Sequence, residues 1–255
     1  MNRLSIIIVA KNEAIHITEC VRSAQFADEV VVLDSGSTDD TVELARSLGA
    51  RVVVTPDWPG FGPQKNRALD LAQGDWVFSL DADERITPDL AAQIRQAMRS
   101  AAHAAYSVNR RSSYCGQYMA HSGWYPDRIV RLWRRGQARF SDDLVHERLL
   151  VDGSVGRLGG ELLHESMRDF ESVLAKVDRY STAAARALQR RGVKGSFAKA
   201  LGHGLWAFVR TYLLRRGFLD GRLGLALAIS NAEGTYYRYL KLWLLQRAAA
   251  RTTGP

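Results

Sequence analysis

Asp75-Trp76-Val77-Phe78-Ser79-Leu80 runs directly into Asp81-Ala82-Asp83-Glu84. The first six residues follow Gly74 as a short apolar, aromatic and β-branched run, the pattern of a strand buried on both faces. The last four place carboxylates where that strand ends. Upstream, the same kind of run recurs at Leu4–Ala10 (LSIIIVA), Glu29–Leu33 (EVVVL) and Arg51–Thr55. Helical patterns separate the runs. Ala14–Ala24 is one. A second follows Asp34-Ser35-Gly36-Ser37-Thr38, capped by Ser37 or Thr38 and closed by Gly49 after Leu48. A third opens at Pro63 and continues to Ala72. After the carboxylates, Thr87-Pro88 fits an N-cap and first helical position for a helix to about Arg99. The order β-α-β-α-β-α-β predicts an α/β fold with a mostly parallel sheet and helices on both faces. Such sheets bind ligands beyond the carboxyl ends of their strands. Lys11-Asn12-Glu13, Asp34, and Asp81 with Asp83 all fall at those ends, so three separate segments are expected to meet at one crevice.

Two aspartates one residue apart at a strand end can hold a divalent cation through oxygen ligands. A cation there can bridge a diphosphate and offset the charge that develops on it as a leaving group. The plainer reading of Asp81, Asp83 and Glu84 is a solvated acidic loop before a helix; their position after a buried strand argues for the metal. Asp34 can accept the imide N–H of a uracil, or serve its own turn, a role that Asp and Ser often fill. For Asp39 the turn role is the better reading.

The chain has 255 residues, of which 46% are hydrophobic, enough for one large domain or a domain with an appendage. Cys20 and Cys115 cannot build a disulfide framework, which fits a reducing compartment. The apolar run near Met1 is too short for a secretory signal and gives way to Lys11-Asn12-Glu13, so the catalytic part is expected in the cytoplasm. The net charge of +8 is unevenly distributed: residues 186–255 carry 13 Lys or Arg against Asp220 and Glu233, or +11, and residues 1–185 carry −3. A basic, apolar tail on a mildly acidic body suggests an anionic surface as partner. Nucleic acid is not expected, because no nucleic-acid-binding module accompanies the charge.

The motifs together resemble those of family 2 glycosyltransferases of the GT-A fold. The matching blocks are Ile8-Val9-Ala10-Lys11-Asn12-Glu13, Val32-Leu33-Asp34-Ser35-Gly36-Ser37-Thr38-Asp39, Gln64-Lys65-Asn66-Arg67-Ala68 and Ser79-Leu80-Asp81-Ala82-Asp83-Glu84, in the family's order and rough spacing. Further on, Gly123-Trp124-Tyr125-Pro126-Asp127-Arg128, Val145-His146-Glu147 and Tyr212-Leu213-Leu214-Arg215-Arg216-Gly217-Phe218-Leu219-Asp220-Gly221 resemble the bacterial lipopolysaccharide core glucosyltransferases.

The resemblance implies a nucleotide-sugar donor, with Val9, Lys11, Glu13 and Asp34 around its base and ribose and Lys65 and Arg67 approaching the nucleotide. Many members carry two successive aspartates after the second strand; here the second position is Ser35. Asp81 would contact the ribose or the metal, and Asp83 would ligate the metal, Mn²⁺ or Mg²⁺. A late histidine in similar enzymes implies His164 as a further ligand, and imidazole suits Mn²⁺ better than Mg²⁺; a packed core histidine is the alternative. Inverting members use a carboxylate base, which implies Glu147, with Asp142 and Asp143 as alternatives. Aromatic faces stack on sugars and arginines grip phosphates, so Trp124, Tyr125, Arg128 and Arg131 are expected at a phosphorylated, lipid-anchored glycan acceptor, whereas Trp133 is expected in the core.

These readings imply a catalytic domain over 1–168 and a helical, basic, amphipathic region over 169–255, with a helix expected at Asp169–Arg191 and, beyond it, apolar stretches interrupted by basic residues at Phe197–Leu214 and Leu223–Leu245. No stretch of the tail offers about 18 uninterrupted apolar residues, so it is not expected to cross a bilayer. It suits helices lying on an anionic leaflet, at the cytoplasmic face of the inner membrane, or a subdomain packed on the catalytic part, or both. The expected activity is inverting transfer of a hexose, glucose from UDP-glucose, to the heptose region of the lipopolysaccharide core. Another nucleotide sugar, a polyprenyl-phosphate or capsule acceptor, or a non-catalytic nucleotide-binding membrane adaptor are the alternatives.

Overall fold

The computed structural model describes residues 2–141 and 148–252. They form two compact units: Met1–Arg111 with Asp127–His164, and Ser112–Pro126 with Glu165–Pro255. The boundary therefore differs from a simple cut after residue 168, because the segment 112–126 groups with the C-terminal helices.

In chain order the first unit contains β1 (Leu4–Ala10), α1 (Ala14–Ala24), β2 (Glu29–Asp34), α2 (Thr41–Ser47), β3 (Arg51–Val54), α3 (Phe61–Leu71), β4 (Trp76–Asp81), β5 (Glu84–Ile86) and α4 (Pro88–Ser100). It continues with β6 (Ala105–Tyr114), whose far end enters the second unit and pairs there with β7 (Gln117–Tyr118). Then come β8 (Asp127–Arg134), β9 (Ala138–Phe140), β10 (Leu149–Val151) and β11 (Val155–Met167). The sheet order is β3-β2-β1-β4-β8-β6-β11-β5, with β9 and β10 forming a separate antiparallel pair. The first four strands are parallel, as the alternating pattern predicts. Beyond them β8 runs antiparallel to β4 and β6, and β5 antiparallel to β11.

The period-2 alternation of β1 builds both layers. Leu4, Ile6 and Ile8 pack with Ile17, Cys20 and Val21 of α1, Ala45 of α2 and Leu90, Ile94 and Met98 of α4. Ile7 faces the other way, with Val31, Leu33 and Val77, against Ala68 and Leu69 of α3. Helices thus cover both faces. Ile8 is fully buried, so Ile8→Ala is expected to lower stability by about 2–5 kcal/mol in urea unfolding; a loss below about 1 kcal/mol would contradict this packing.

Two helix starts depart from expectation. α2 begins at Thr41, and its N-cap Asp40 makes no side-chain bond, because Ser37 and Thr38 are engaged with Asp34 and Asn12 in the preceding loop. α3 begins at Phe61, after Gly60 at φ 117°; Pro63 sits in its first turn, where a missing N–H has no helical partner to lose. Thr87 caps α4 as expected, its hydroxyl accepting from Leu90 N at 3.3 Å.

The second unit is built on α5 (Phe170–Arg190), α6 (Phe197–Val209) and α7 (Gly221–Thr252), with a π-helical turn at Arg210–Leu214 and a 3₁₀ turn at Gly217–Asp220. Asp169 caps α5, accepting from Ser172 N at 2.7 Å. α6 buries its small residues, Ala200, Gly204 and Ala207. A Cβ added at Gly204 would lie 3.1 Å from the Cβ of Tyr236, so the small side chains let α7 approach closely. The large apolar residues of α6 point outward: Phe197, Leu201 and Leu205, spaced by four, are all exposed, Leu205 at 67%. Among the described residues no helix is long and apolar enough to cross a membrane.

Candidate active site

The β1–α1 and β2–α2 loops are tied together by side chains. Asn12, at φ 56°, accepts at its Oδ1 from Thr38 N at 2.8 Å, and its own N–H donates to Ser37 Oγ at 2.8 Å. Glu13 N donates to Thr41 Oγ1 at 2.8 Å. Asp34 stands at the end of β2. It is 0% exposed, and its oxygens accept from Gly36 N, Ser37 N and the Ser37 hydroxyl. These bonds shape the loop that follows β2. Lys11 is exposed, Glu13 and Val9 are half-buried, and all three lie at the carboxyl end of β1 or just past it.

Asp81-Ala82-Asp83-Glu84 makes a turn between β4 and β5, and its carboxylates have separate tasks. Asp81 Oδ1 lies 3.0 Å from Lys65 Nζ of α3, and its Oδ2 is 2.5 Å from Arg131 Nη2 of β8. The same guanidinium nitrogen reaches Glu84 Oε1 at 2.6 Å, and Glu84 Oε2 accepts from Asp81 N at 3.0 Å. Glu84 is fully buried and Arg131 is 6% exposed. Burial alone would push the Asp81 carboxyl up, but the Arg131 and Lys65 charges outweigh it and hold it well below the usual carboxylate range. Glu84 moves up: burial dominates, and the Asp81 charge adds to it against the pull of Arg131. Arg131, expected at the acceptor, is instead the buried counter-charge of the motif, since a guanidinium can serve two carboxylates at once. Asp81 is occupied by cations of the chain itself.

Asp83 is the free-standing partner. β11 pairs with β5 in the register His164↔Glu84, which brings His164 Nε2 to 3.2 Å from Asp83 Oδ2. Both side chains are half-buried. Two donors bound at right angles to one cation, each about 2.1 Å away, lie about 3.0 Å apart, so this pair fits two adjacent ligand positions of a divalent metal. Among the described residues no three His, Cys, Asp or Glu side chains gather around one point. The rest of a coordination shell would come from substrate phosphate and water, as is usual for Mg²⁺-type sites. A one-residue slip of β11 would turn His164 to the other face of the sheet.

Asp142, Asp143 and Glu147 lie outside the described residues, but the ends of their segment are fixed. Asn66 of α3 clamps Phe140 by two bonds, Asn66 Nδ2 to Phe140 O at 2.9 Å and Phe140 N to Asn66 Oδ1 at 3.0 Å. Ser141 N donates to Arg148 O at 2.8 Å, and Arg148 N to Ser141 Oγ at 3.0 Å. Lys65 Nζ sits 5.5 Å from the Phe140 ring centroid, so the exit of β9 lies beside the Asp81 cluster.

The remaining candidates scatter. Arg67 pairs with Asp57 through two 2.8 Å contacts at the surface. Arg128 is exposed on β8. Trp124 and Tyr125 belong to the second unit. Trp133 is fully buried, as expected. The structural roles of Glu84, Asn12 and Asn66 depend on partners distant in sequence, apart from the short spacing of Glu84 to Asp81. The largest cavity among those described, about 600 Å³ beside Leu69, Arg135 and Val151, includes none of these residues.

Comparison with known proteins gives the family. Residues 5–150 match the model of glycosyl transferase family 2. An uncharacterized glycosyltransferase of Rickettsia typhi is 30% identical, over 95% of this chain and 87% of its own length. The lipopolysaccharide core biosynthesis glycosyltransferase LpsC of Rhizobium meliloti is 29% identical, over 92% of this chain and 93% of its own. Among solved structures, Mycobacterium tuberculosis glucosyl-3-phosphoglycerate synthase in complex with Mn²⁺, UDP and glucosyl-3-phosphoglycerate aligns over 44% of each chain at 30% identity, with a TM-score of 0.38. With more than half its length covered by the family model, the chain belongs to glycosyl transferase family 2.

Proposed function

We propose that the protein transfers a hexose, glucose from UDP-glucose, to the heptose region of a lipid-anchored lipopolysaccharide core, with inversion at the anomeric carbon. The observation that carries the reading is the Asp83–His164 pair, two donors 3.2 Å apart at the end of β4. The likeness to LpsC along nearly the whole chain supports the acceptor class. Asp83 and His164 would hold a divalent cation, Mn²⁺ or Mg²⁺, which when bound would offset the charge on the departing diphosphate. Imidazole in the ligand pair favours Mn²⁺.

The chain's own groups do the remaining work. Lys65 and Arg131 fix Asp81, so that the turn carrying Asp83 is rigid before substrate arrives. Lys11, Glu13 and Val9 border the nucleotide at the end of β1, and Arg67 approaches it from α3. Glu147 takes the acceptor hydroxyl proton, with Asp143 or Asp142 in that role if Glu147 is not the base. The new bond joins the acceptor oxygen to the anomeric carbon, the bond from that carbon to the diphosphate breaks, and UDP leaves with the electron pair. Trp124, Tyr125 and Arg128 serve the acceptor. The exposed Phe197, Leu201 and Leu205 face, with the basic charge of the tail, suits a peripheral seat on an anionic leaflet, where a lipid-anchored acceptor is found.

Purified protein with Mn²⁺, UDP-glucose and core-truncated lipopolysaccharide is expected to release UDP. Glu147→Gln is expected to keep donor binding and lose transfer by about 10²–10⁴-fold. Failure to turn over any nucleotide sugar, despite UDP binding, would overturn the enzymatic reading; loss of transfer in Asp143→Asn but not in Glu147→Gln would move the base.

A further inference from the structure

The second unit encloses a cavity of about 380 Å³ between α5, the α6 end with its π turn, α7 and the loop through Gly123. Its wall carries four cations, Lys176, Arg210, Arg215 and Arg238, and no Asp or Glu. Among the described residues none of the four forms an ion pair; Lys176 Nζ donates to the Ser166 carbonyl, and Arg238 Nε is buried without a hydrogen-bond partner. Like charges gathered around a partly enclosed space repel, and a buried donor left unpaired is unfavourable, so the arrangement is satisfied when an anion enters.

The cations are also placed by specific backbone features. The π turn Arg210–Leu214 widens the helix, a distortion frequent at functional sites, and both Arg210 and the following Arg215 reach the cavity. The Arg215 side chain runs across Gly123, where a Cβ would come within 2.3 Å of its Cδ and Nη1. Gly123 also has φ +77°, a conformation that glycine adopts without strain. Asp220 fixes this loop by accepting from Ala120 N, His121 N and Ser122 Oγ. Trp124 adds an aromatic wall beside the charges.

We propose that this cavity binds a phosphate group, carried by a small soluble molecule or by a lipid headgroup, with Arg210, Arg215, Arg238 and Lys176 as its donors. Forked guanidinium donors match phosphate oxygens bidentately, and several converging ones can satisfy its several oxygens at once. None of the four is among the residues assigned to the donor and its metal.

The full-length protein would be titrated with inorganic phosphate, and separately with phosphatidylcholine vesicles with and without a minority of phosphatidic acid. Saturable binding is expected in at least one arm. Arg215→Gln, Arg238→Gln and Gly123→Ala are each expected to weaken it by about ten- to a hundredfold, while Mn²⁺-dependent UDP binding stays unchanged and reports an intact first unit. Binding of free phosphate identifies a soluble source, and binding only to phosphatidic acid vesicles identifies a headgroup. No saturable binding in either arm, or equal affinity in wild type and all three variants, would overturn the site.

Discussion

Arg131→Met is expected to destabilise the protein by about 3–5 kcal/mol, because it strips the shared counter-charge from two carboxylates and leaves one of them sealed in the core. Glu84 is 0% exposed, with Arg131 at 2.6 Å and Arg110 farther off at 3.6 Å, and among the described residues the Asp81 carboxylate is held by the side chains of Arg131 and Lys65. The pH dependence follows from the direction of each shift. Asp81 has a lowered folded-state pKa, so its contribution is present above the unfolded carboxyl range and is lost as pH falls through the folded value. Glu84 has a raised one, so it favours the folded state more as pH falls. In Arg131→Met the Asp81 benefit is reduced and both acids are relieved by protonation. The gap in melting temperature between wild type and variant should be widest near neutrality and narrow as pH falls through the carboxylate range near about 4. A gap independent of pH, or a loss under about 1 kcal/mol, would show that the triad is not the electrostatic centre of the turn.

Asp83→Ala and His164→Ala should each lower kcat/KM for UDP-glucose by about 100-fold or more while leaving the fold intact, since both side chains are half-buried and neither is buried in the core. Excess Mn²⁺ should restore part of the His164→Ala activity, because Asp83 and the diphosphate remain as ligands. It should restore less to Asp83→Ala, which removes the anionic ligand. Activity unchanged in both variants would remove the metal from this pair.

The parallel half of the sheet was legible because its strands are buried on both faces and therefore read as continuous apolar runs: LSIIIVA and DWVFSL needed no context. The antiparallel half was not, because β6 and β8 mix arginines with core residues, as with the exposed Arg134 beside the buried Trp133. The pairing of His164 with Asp83 was reachable only through family likeness, since 81 residues separate them and the β11–β5 register is a tertiary fact. The local bonding of Asp34 was legible too, since a short carboxylate followed by Gly36 and Ser37 finds partners within three residues. The burial of Arg131 was not legible, because a cation among aromatics reads as a surface group until the two acids that bury it are known. Nothing local in the sequence ties residues 112–126 to the C-terminal helices, which they join across a long sequence gap through contacts such as Gln117 Nε2 to Asp220 O at 2.9 Å.

The central claim is that Asp83 and His164 hold one divalent cation against the donor diphosphate, and electron spin-echo spectroscopy of the Mn²⁺–UDP complex tests it most directly. Wild-type protein should show nitrogen hyperfine coupling from one imidazole and phosphorus coupling from the diphosphate, and His164→Ala should lose the first and keep the second. Nitrogen coupling that is absent in wild type, or that persists in His164→Ala, would contradict it.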